Sequence, residues 1–305
     1  MARTWQCVDE RLQIKLPEIF DFAVNLDYLT RDTNECMYEV RDNHVTRLIE
    51  LDNHRLLIQI SADDNEYLNV SFLAGTYPDE TLLPKVVDYV WEWFDLDYDL
   101  AAFYEMSRKD PLLSQAIEKE YGLRLMGINE LLETLCWAIL GQQINLTFAY
   151  TLKRRFVETF GESMEYEGKK YMLFPSAETI AGLTPEDMAD VKMTRRKSEY
   201  IINVARLIRD NQLTKEALLE LDSLEAIERE LTKIRGIGPW TANYVSMRCL
   251  RHPSSFPVAD VGLMNAVKFG LDMDRKPTQG ELLELSKKWS GFESYATFYL
   301  WRLLY

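Results

Sequence analysis

Among residues whose type and setting suit them for chemistry, Asp260 stands first. It lies in the segment Phe256-Pro-Val-Ala-Asp-Val-Gly-Leu-Met-Asn-Ala-Val267, immediately before an apolar run of helical period. An aspartate there is most simply an N-cap, worth about 1 kcal/mol. The capping position also holds a carboxylate rigidly, and the positive end of a helix favours its ionised form. A fixed anion of this kind can stabilise a cation developing beside it, or orient and activate a water. Both roles are compatible. The second segment with chemical potential is Leu231-Thr-Lys-Ile-Arg-Gly-Ile-Gly-Pro-Trp-Thr-Ala-Asn-Tyr244, whose second glycine, Gly238, stands 22 residues before Asp260. A helix is expected to end near Ile234, Gly236-Ile237-Gly238 to turn tightly, and Pro239 to open a second helix. Free N–H groups at such a helix start form an anion site, so a neutral hairpin can hold a phosphate. An ordinary helical hairpin would carry the same Gly-x-Gly, and that alternative stays open.

These residues need elements to position them. From about Pro111 onward the pattern is helical, with start signals at Asn129, Thr184-Pro-Glu-Asp187, Asp222-Ser-Leu-Glu225, Thr278-Gln-Gly-Glu281 and Ser290-Gly-Phe-Glu293, and a stop at Gly161. Before that point, β-rich runs beginning at Met37, Val45, Arg55 and Tyr67 alternate with polar turns containing Asp and Asn. They read as an antiparallel sheet, covered by a helix over 79–94. The expected fold class is α+β: an N-terminal sheet domain (1–110), a discontinuous helical domain (111–134 with 253–305), and a second helical domain (135–252) carrying the hairpin.

The net charge of −14 argues against nucleic acid only until its distribution is read. Residues 1–100 hold 21 acidic and 8 basic side chains, so most of the excess belongs to the N-terminal third. Of the local basic groups, Lys153-Arg-Arg155 and Arg195-Arg-Lys197 are candidates for phosphate contacts, although solvated helix faces look the same. No stretch reaches the roughly 20 apolar residues of a membrane span, and the opening Met-Ala-Arg-Thr-Trp-Gln lacks the apolar run of a secretory leader. The four cysteines are far apart and the three histidines lack ligand spacing, so buried free thiols in a reducing cytoplasm, and no catalytic metal, are expected.

Taken together, the two segments resemble the helix-hairpin-helix DNA glycosylase superfamily, and most closely the bacterial DNA-3-methyladenine glycosylase II family. The likeness extends through Pro111-Leu-Leu, Gly122-Leu-Arg-Leu-Met-Gly127, Trp137-Ala-Ile-Leu-Gly-Gln-Gln143, the hairpin, and Ser294-Tyr-Ala-Thr-Phe-Tyr-Leu-Trp301, in family order. It implies removal of alkylated purines of the 3-methyladenine type from duplex DNA after base flipping, with Asp260 as catalytic carboxylate. Trp240, Tyr244, Trp301 and Tyr28 match base-pocket aromatics, and Gly236, Ile237 and Gly238 match the DNA-binding hairpin. Gln143 stands where relatives insert a leucine into the duplex, and Ile144 is the other candidate wedge. The resemblance also implies a monovalent cation held by the backbone carbonyls of Thr232, Ile234 and Ile237, with no nucleotide cofactor. Lyase-competent members carry a lysine where this chain has Trp240, and iron–sulfur members carry a C-terminal cysteine run that is absent here. Water is therefore the expected nucleophile. A monomeric, cytoplasmic, nucleoid-associated bacterial enzyme is the resulting expectation. An oxidised-purine glycosylase and a non-catalytic DNA-binding protein remain the alternatives.

Overall fold

A computed structural model describes residues 3–63 and 66–304. The chain opens with strands β1 (Trp5–Val8) and β2 (Arg11–Lys15), helix α1 (Phe22–Leu29), and strands β3 (Glu39–Arg41), β4 (His44–Leu51), β5 (His54–Ser61) and β6 (Tyr67–Ala74). These strands form one antiparallel sheet in the order β1-β2-β6-β5-β4-β3. Its two-residue turns have positive φ at both central positions, in Asp9/Glu10, Asp42/Asn43 and Asp52/Asn53. That geometry matches the right-handed strand twist, and short Asx side chains tolerate it. Helix α2 (Leu83–Trp93) follows a turn begun by Asp79, whose carboxylate accepts from the Leu82 amide at 3.0 Å. Its residues Val86, Val87 and Val90 share a core with Leu12, Ile58 and Val70 of the sheet.

Helices α3 (Leu100–Ser107), α4 (Pro111–Lys119), α5 (Leu131–Gly141) and α6 (Leu146–Phe160) come next. A small hairpin of β7 (Ser163–Tyr166) and β8 (Lys169–Met172), which the sequence reading did not foresee, turns on Glu167 and Gly168, both at positive φ. Then follow α7 (Ala177–Ala181), α8 (Arg195–Arg209), α9 (Lys215–Leu219), α10 (Leu224–Thr232), α11 (Pro239–Arg248), α12 (Val261–Gly270), α13 (Gln279–Ser286) and α14 (Glu293–Trp301).

Two main hydrophobic cores organise these elements. The first joins the sheet, α1 and α2 to α4, α12 and α14 without a break, through Leu26, Leu113, Leu263 and Phe298. The sheet and the discontinuous helical unit thus share one interior. The second core gathers α5, α6, α8, α10 and α11 around Leu135, Phe156, Ile201, Leu231 and Val245. Leu131 belongs to it, so α5 lies whole in the second body instead of being divided at residue 134.

Several start signals are displaced. Asn129 caps nothing: its Oδ1 accepts from Arg251 Nη2 at 3.2 Å, its Nδ2 donates to the Tyr89 carbonyl at 2.8 Å, and Glu130 occupies the N-cap of α5. Thr184 and Asp187 exchange the expected reciprocal bonds, but the chain there makes turns and no regular helix. Ser223, one residue after Asp222, caps α10, and Phe292, not Ser290, precedes α14. The capping box at Thr278 and Glu281 and the stop at Gly161 form as expected.

Candidate active site

The hairpin between α10 and α11 forms because Gly236 adopts φ +97° and lies against the ring of Tyr200, where a Cβ would come within 2.3 Å. Gly238 differs: its backbone is extended, and an added Cβ would meet nothing within 4 Å. The first glycine is demanded by the fold and the second is not. Gln142 ties the hairpin to the turn between α5 and α6, its Nε2 donating to the Gly236 carbonyl at 3.0 Å. The next residue, Gln143, is exposed with φ +58°, while Ile144 is partly buried against neighbouring apolar side chains.

Pro239 starts α11, which puts Trp240 on its first turn and Tyr244 one turn later on the same face. The two rings stack with centroids 5.5 Å apart and 26° between planes. Tyr244 is in turn 6.3 Å from the ring of Trp301, at the end of α14. Asn243 on α11 steadies the following loop, its Oδ1 accepting from the Phe256 amide at 3.0 Å. Ser294 of α14 fastens the same loop by donating to the carbonyls of His252 at 2.7 Å and Ser255 at 3.0 Å.

That loop delivers Asp260, which is half-buried and caps α12 as its sequence context suggested. Oδ1 accepts from the Leu263 amide at 2.7 Å and from Trp301 Nε1 at 2.9 Å; Oδ2 accepts from Trp240 Nε1 at 3.0 Å. A carboxylate has about four lone-pair directions. Two are used on Oδ1 and one on Oδ2, so Oδ2 keeps an open direction for a water or a cationic centre. Gly262 completes the setting, since a Cβ there would come 3.0 Å from Oδ1 and 3.3 Å from Trp301 Nε1. Sequence reading passed over Gly262, although its place two residues into a capped helix was a visible signal.

Deeper in, Tyr244 Oη accepts from Trp137 Nε1 at 2.8 Å and from Arg248 Nη1 at 3.1 Å. Tyr28 is also buried here, its ring 4.6 Å from Phe298 and its face covered by the Arg31 guanidinium at 4.0 Å. A small cavity of about 20 Å³ lies among Tyr28, Arg31, Trp137, Tyr150 and Arg248. Trp137, Tyr150, Arg31 and Arg248 were not foreseen as site residues. Arg31 could have been noticed, because it follows Tyr28 by three positions. A larger groove of about 680 Å³ runs between residues 29–40 and the β7–β8 hairpin, but it touches neither Asp260 nor its indole partners.

Next to the cavity is a buried ion cluster. Lys153 Nζ contacts Glu35 at 3.2 Å and Glu133 at 3.1 Å, and Arg47 contacts Glu133 at 3.1 Å. Burial, the largest single influence, would raise the Glu35 carboxyl, but the Lys153 charge, the Met37 amide and the Arg31 charge together outweigh it and hold the group below its ordinary range. Lys153 is therefore structural, which corrects its reading as a phosphate contact. Of the other basic candidates, Arg154 donates to the carbonyl of Thr33 at 3.1 Å, Arg196 to the Tyr200 hydroxyl at 2.6 Å and Lys197 to the Leu140 carbonyl at 2.7 Å. Arg155 is exposed, and Arg195 is exposed and pairs with Glu186 and Glu199. No group of three His, Cys, Asp or Glu that could hold a metal ion occurs among the described residues, and no described helix is long and apolar enough to cross a membrane.

A sheet-backed pair of helical bodies, with a Gly-x-Gly hairpin on one and a capped carboxylate between them, defines a helix-hairpin-helix protein built around a single acid. The chain belongs to the HhH-GPD superfamily of base excision DNA repair proteins, whose family model matches residues 136–291; the 8-oxoguanine DNA glycosylase N-terminal domain model matches residues 11–135. It is 54% identical over 303 residues to a DNA-3-methyladenine glycosylase of Bacillus subtilis, covering 99% of this chain and 100% of that one. It is 27% identical to DNA-3-methyladenine glycosylase 2 of Escherichia coli, over 92% of this chain and 93% of the relative. Its fold matches a 3-methyladenine DNA-glycosylase from Archaeoglobus fulgidus with a TM-score of 0.83 at 24% identity, covering 95% and 96% of the two chains.

Proposed function

We propose that this protein is a DNA-3-methyladenine glycosylase that hydrolyses the N-glycosidic bond of alkylated purines flipped from duplex DNA. The observation that carries the reading is the Asp260 carboxylate, fixed by two indole N–H groups and one amide, with one lone-pair direction open. As the bond to the base breaks, the sugar takes on oxocarbenium character. A fixed anion stabilises that charge without reorganising, and it orients a water for attack. Trp240 and Trp301 serve twice in this scheme: their N–H edges hold the acid and their faces flank the base. Aromatic faces favour an N-alkylated, cationic purine by roughly 0.5–2 kcal/mol per contact.

The hairpin supplies the grip on DNA. The open space at Gly238 allows a phosphate to approach the start of α11, where backbone N–H groups are free. Gln143, exposed at the tip of its turn, fills the gap left by the flipped nucleotide. Hairpin carbonyls suit a monovalent cation: those of Thr232 and Ile237 accept no backbone N–H among the described residues, and that of Ile234 accepts only the Ile237 amide at 3.0 Å. We assign the enzyme to the monofunctional type II class, acting as a monomer on DNA in the bacterial cytoplasm.

An oxidised-purine glycosylase with lyase activity is a second reading, favoured by the N-terminal domain match. Against it, Trp240 occupies the place of the lyase lysine. The test measures base release from methylated duplex DNA. Asp260→Asn is expected to lower the rate by about 10²–10³-fold, with no borohydride-trappable adduct in either protein. Full activity in the variant overturns the assignment of Asp260, and a trapped adduct overturns the monofunctional class.

A further inference from the structure

Asn243 stands on α11 between Trp240 and Tyr244, and only 8% of it is exposed. Its side chain makes three bonds, each to a different segment. Nδ2 donates to the Pro239 carbonyl at 3.0 Å, at the start of its own helix, and to Glu228 Oε2 on α10 at 3.2 Å. Oδ1 accepts from the Phe256 amide at 3.0 Å. One carboxamide thus joins both helices of the hairpin to the loop that delivers the acid.

The path from Phe256 to Asp260 is short and stiff. The Phe256 carbonyl accepts from the Val258 amide at 2.8 Å, and the Pro257 carbonyl accepts from the Asp260 amide at 2.8 Å. Pro257 has a fixed φ and no N–H to satisfy. Of the backbone amides from Phe256 to Asp260, that of Phe256 alone donates outside the segment among the described residues. The Phe256 ring packs edge-on to Trp289 of the first core at 6.2 Å, whereas α11 belongs to the second. The bond therefore crosses the division between the bodies a few residues ahead of the acid.

We infer that Asn243 is a positioning residue, which transmits the placement of the hairpin helices to the Asp260 carboxylate. The helix start that meets a phosphate and the acid that faces the sugar are thereby held in one fixed relation. Without the Oδ1 acceptor the Phe256 amide loses its partner, and the loop settles with the acid shifted from Trp240 and Trp301. A shifted anion stabilises the developing sugar cation less, while the contacts of the hairpin to DNA are untouched. Base release slows and the affinity for DNA stays.

The inference rests on the glycosylase reading, and one assay separates the two. Single-turnover release of 3-methyladenine from duplex DNA is followed against enzyme concentration, which gives a limiting rate and a half-saturating concentration. The proteins are wild type, Asn243→Ala, Asp260→Asn and the double variant. Asn243→Ala is expected to lower the limiting rate about tenfold or more, at a nearly unchanged half-saturating concentration. In the Asp260→Asn background the same change should have no further effect, because residues that act through one group are not additive. An equal loss in both backgrounds, as a loosened fold would give, or a full limiting rate in Asn243→Ala, overturns the role of Asn243 alone. Should Asn243→Ala fail to fold, Asn243→Asp combined with Glu228→Gln exchanges the amide and the carboxylate. It keeps an acceptor for the Phe256 amide and a donor–acceptor pair to α10. That combination should release base faster than Asn243→Asp by itself, and no gain overturns the role. Release of no base by wild type, or full release by Asp260→Asn, overturns the reading of the site and the inference with it.

Discussion

At the scale of single residues, the site is a carboxylate whose geometry is set by its neighbours' edges. Gly262→Ala puts a methyl group 3.0 Å from Asp260 Oδ1 and 3.3 Å from Trp301 Nε1, so the acid must shift. Because small misplacements of a reacting group are costly, we expect kcat to fall about tenfold or more while the thermal midpoint moves little; single-turnover release beside a melting curve checks both. Asp260 was legible in the sequence because an N-cap is a local device, marked by the apolar run that follows it. Its indole partners were legible as residue types within motifs, but their bonds to it were not. Trp240 and Trp301 stand 20 and 41 positions away in the chain, and no local pattern specifies which atoms meet across that separation.

At the scale of elements, the two hairpin glycines should respond differently to the same change. Gly236→Ala forces positive φ on an L-residue and drives a Cβ into Tyr200, so it should cost about 1–3 kcal/mol or more of stability. Gly238→Ala meets open space and should cost under about 1 kcal/mol, yet weaken binding to duplex DNA by crowding the phosphate approach. Denaturant midpoints and DNA titrations at fixed salt separate the two effects. The hairpin itself was readable, because Gly-x-Gly-Pro encodes a stop, a turn and a start within four residues. The small hairpin after α6 was not foreseen: it lies inside a helical region, and its strands run only four residues each. The failed cap at Asn129 shows the limit of local rules. Its Oδ1, the atom that would cap, accepts from Arg251, 122 positions away, while its Nδ2 donates to the Tyr89 carbonyl, and those distant contacts won.

At the scale of the whole molecule, the buried ion cluster links the N-terminal sheet to α5 and α6. Breaking a buried pair leaves an uncompensated charge, so Glu133→Gln should destabilise by about 3–5 kcal/mol, read as a lowered denaturant midpoint. The Glu35 carboxyl is held low in the folded state. Its contribution is therefore complete above the ordinary glutamate range of about 4.3, and is lost as pH falls from there through the lowered folded value. Stability of Glu35→Gln should accordingly depend less on pH below about 4.3 than that of wild type, which a series of melts would show. The α+β class followed from alternation in the first third and helical periodicity afterwards. That the sheet and the C-terminal helices share one interior did not, because continuity of a core is a property of tertiary packing. The acid's two indole bonds come from opposite sides of this division, Trp240 beginning the hairpin helix of one body and Trp301 ending the last helix of the other. Prying the bodies apart must therefore release one of them and slacken the acid. Full arming and full gaping are mutually exclusive in such a molecule, and the same two indoles, by their emission, would report which state it is in.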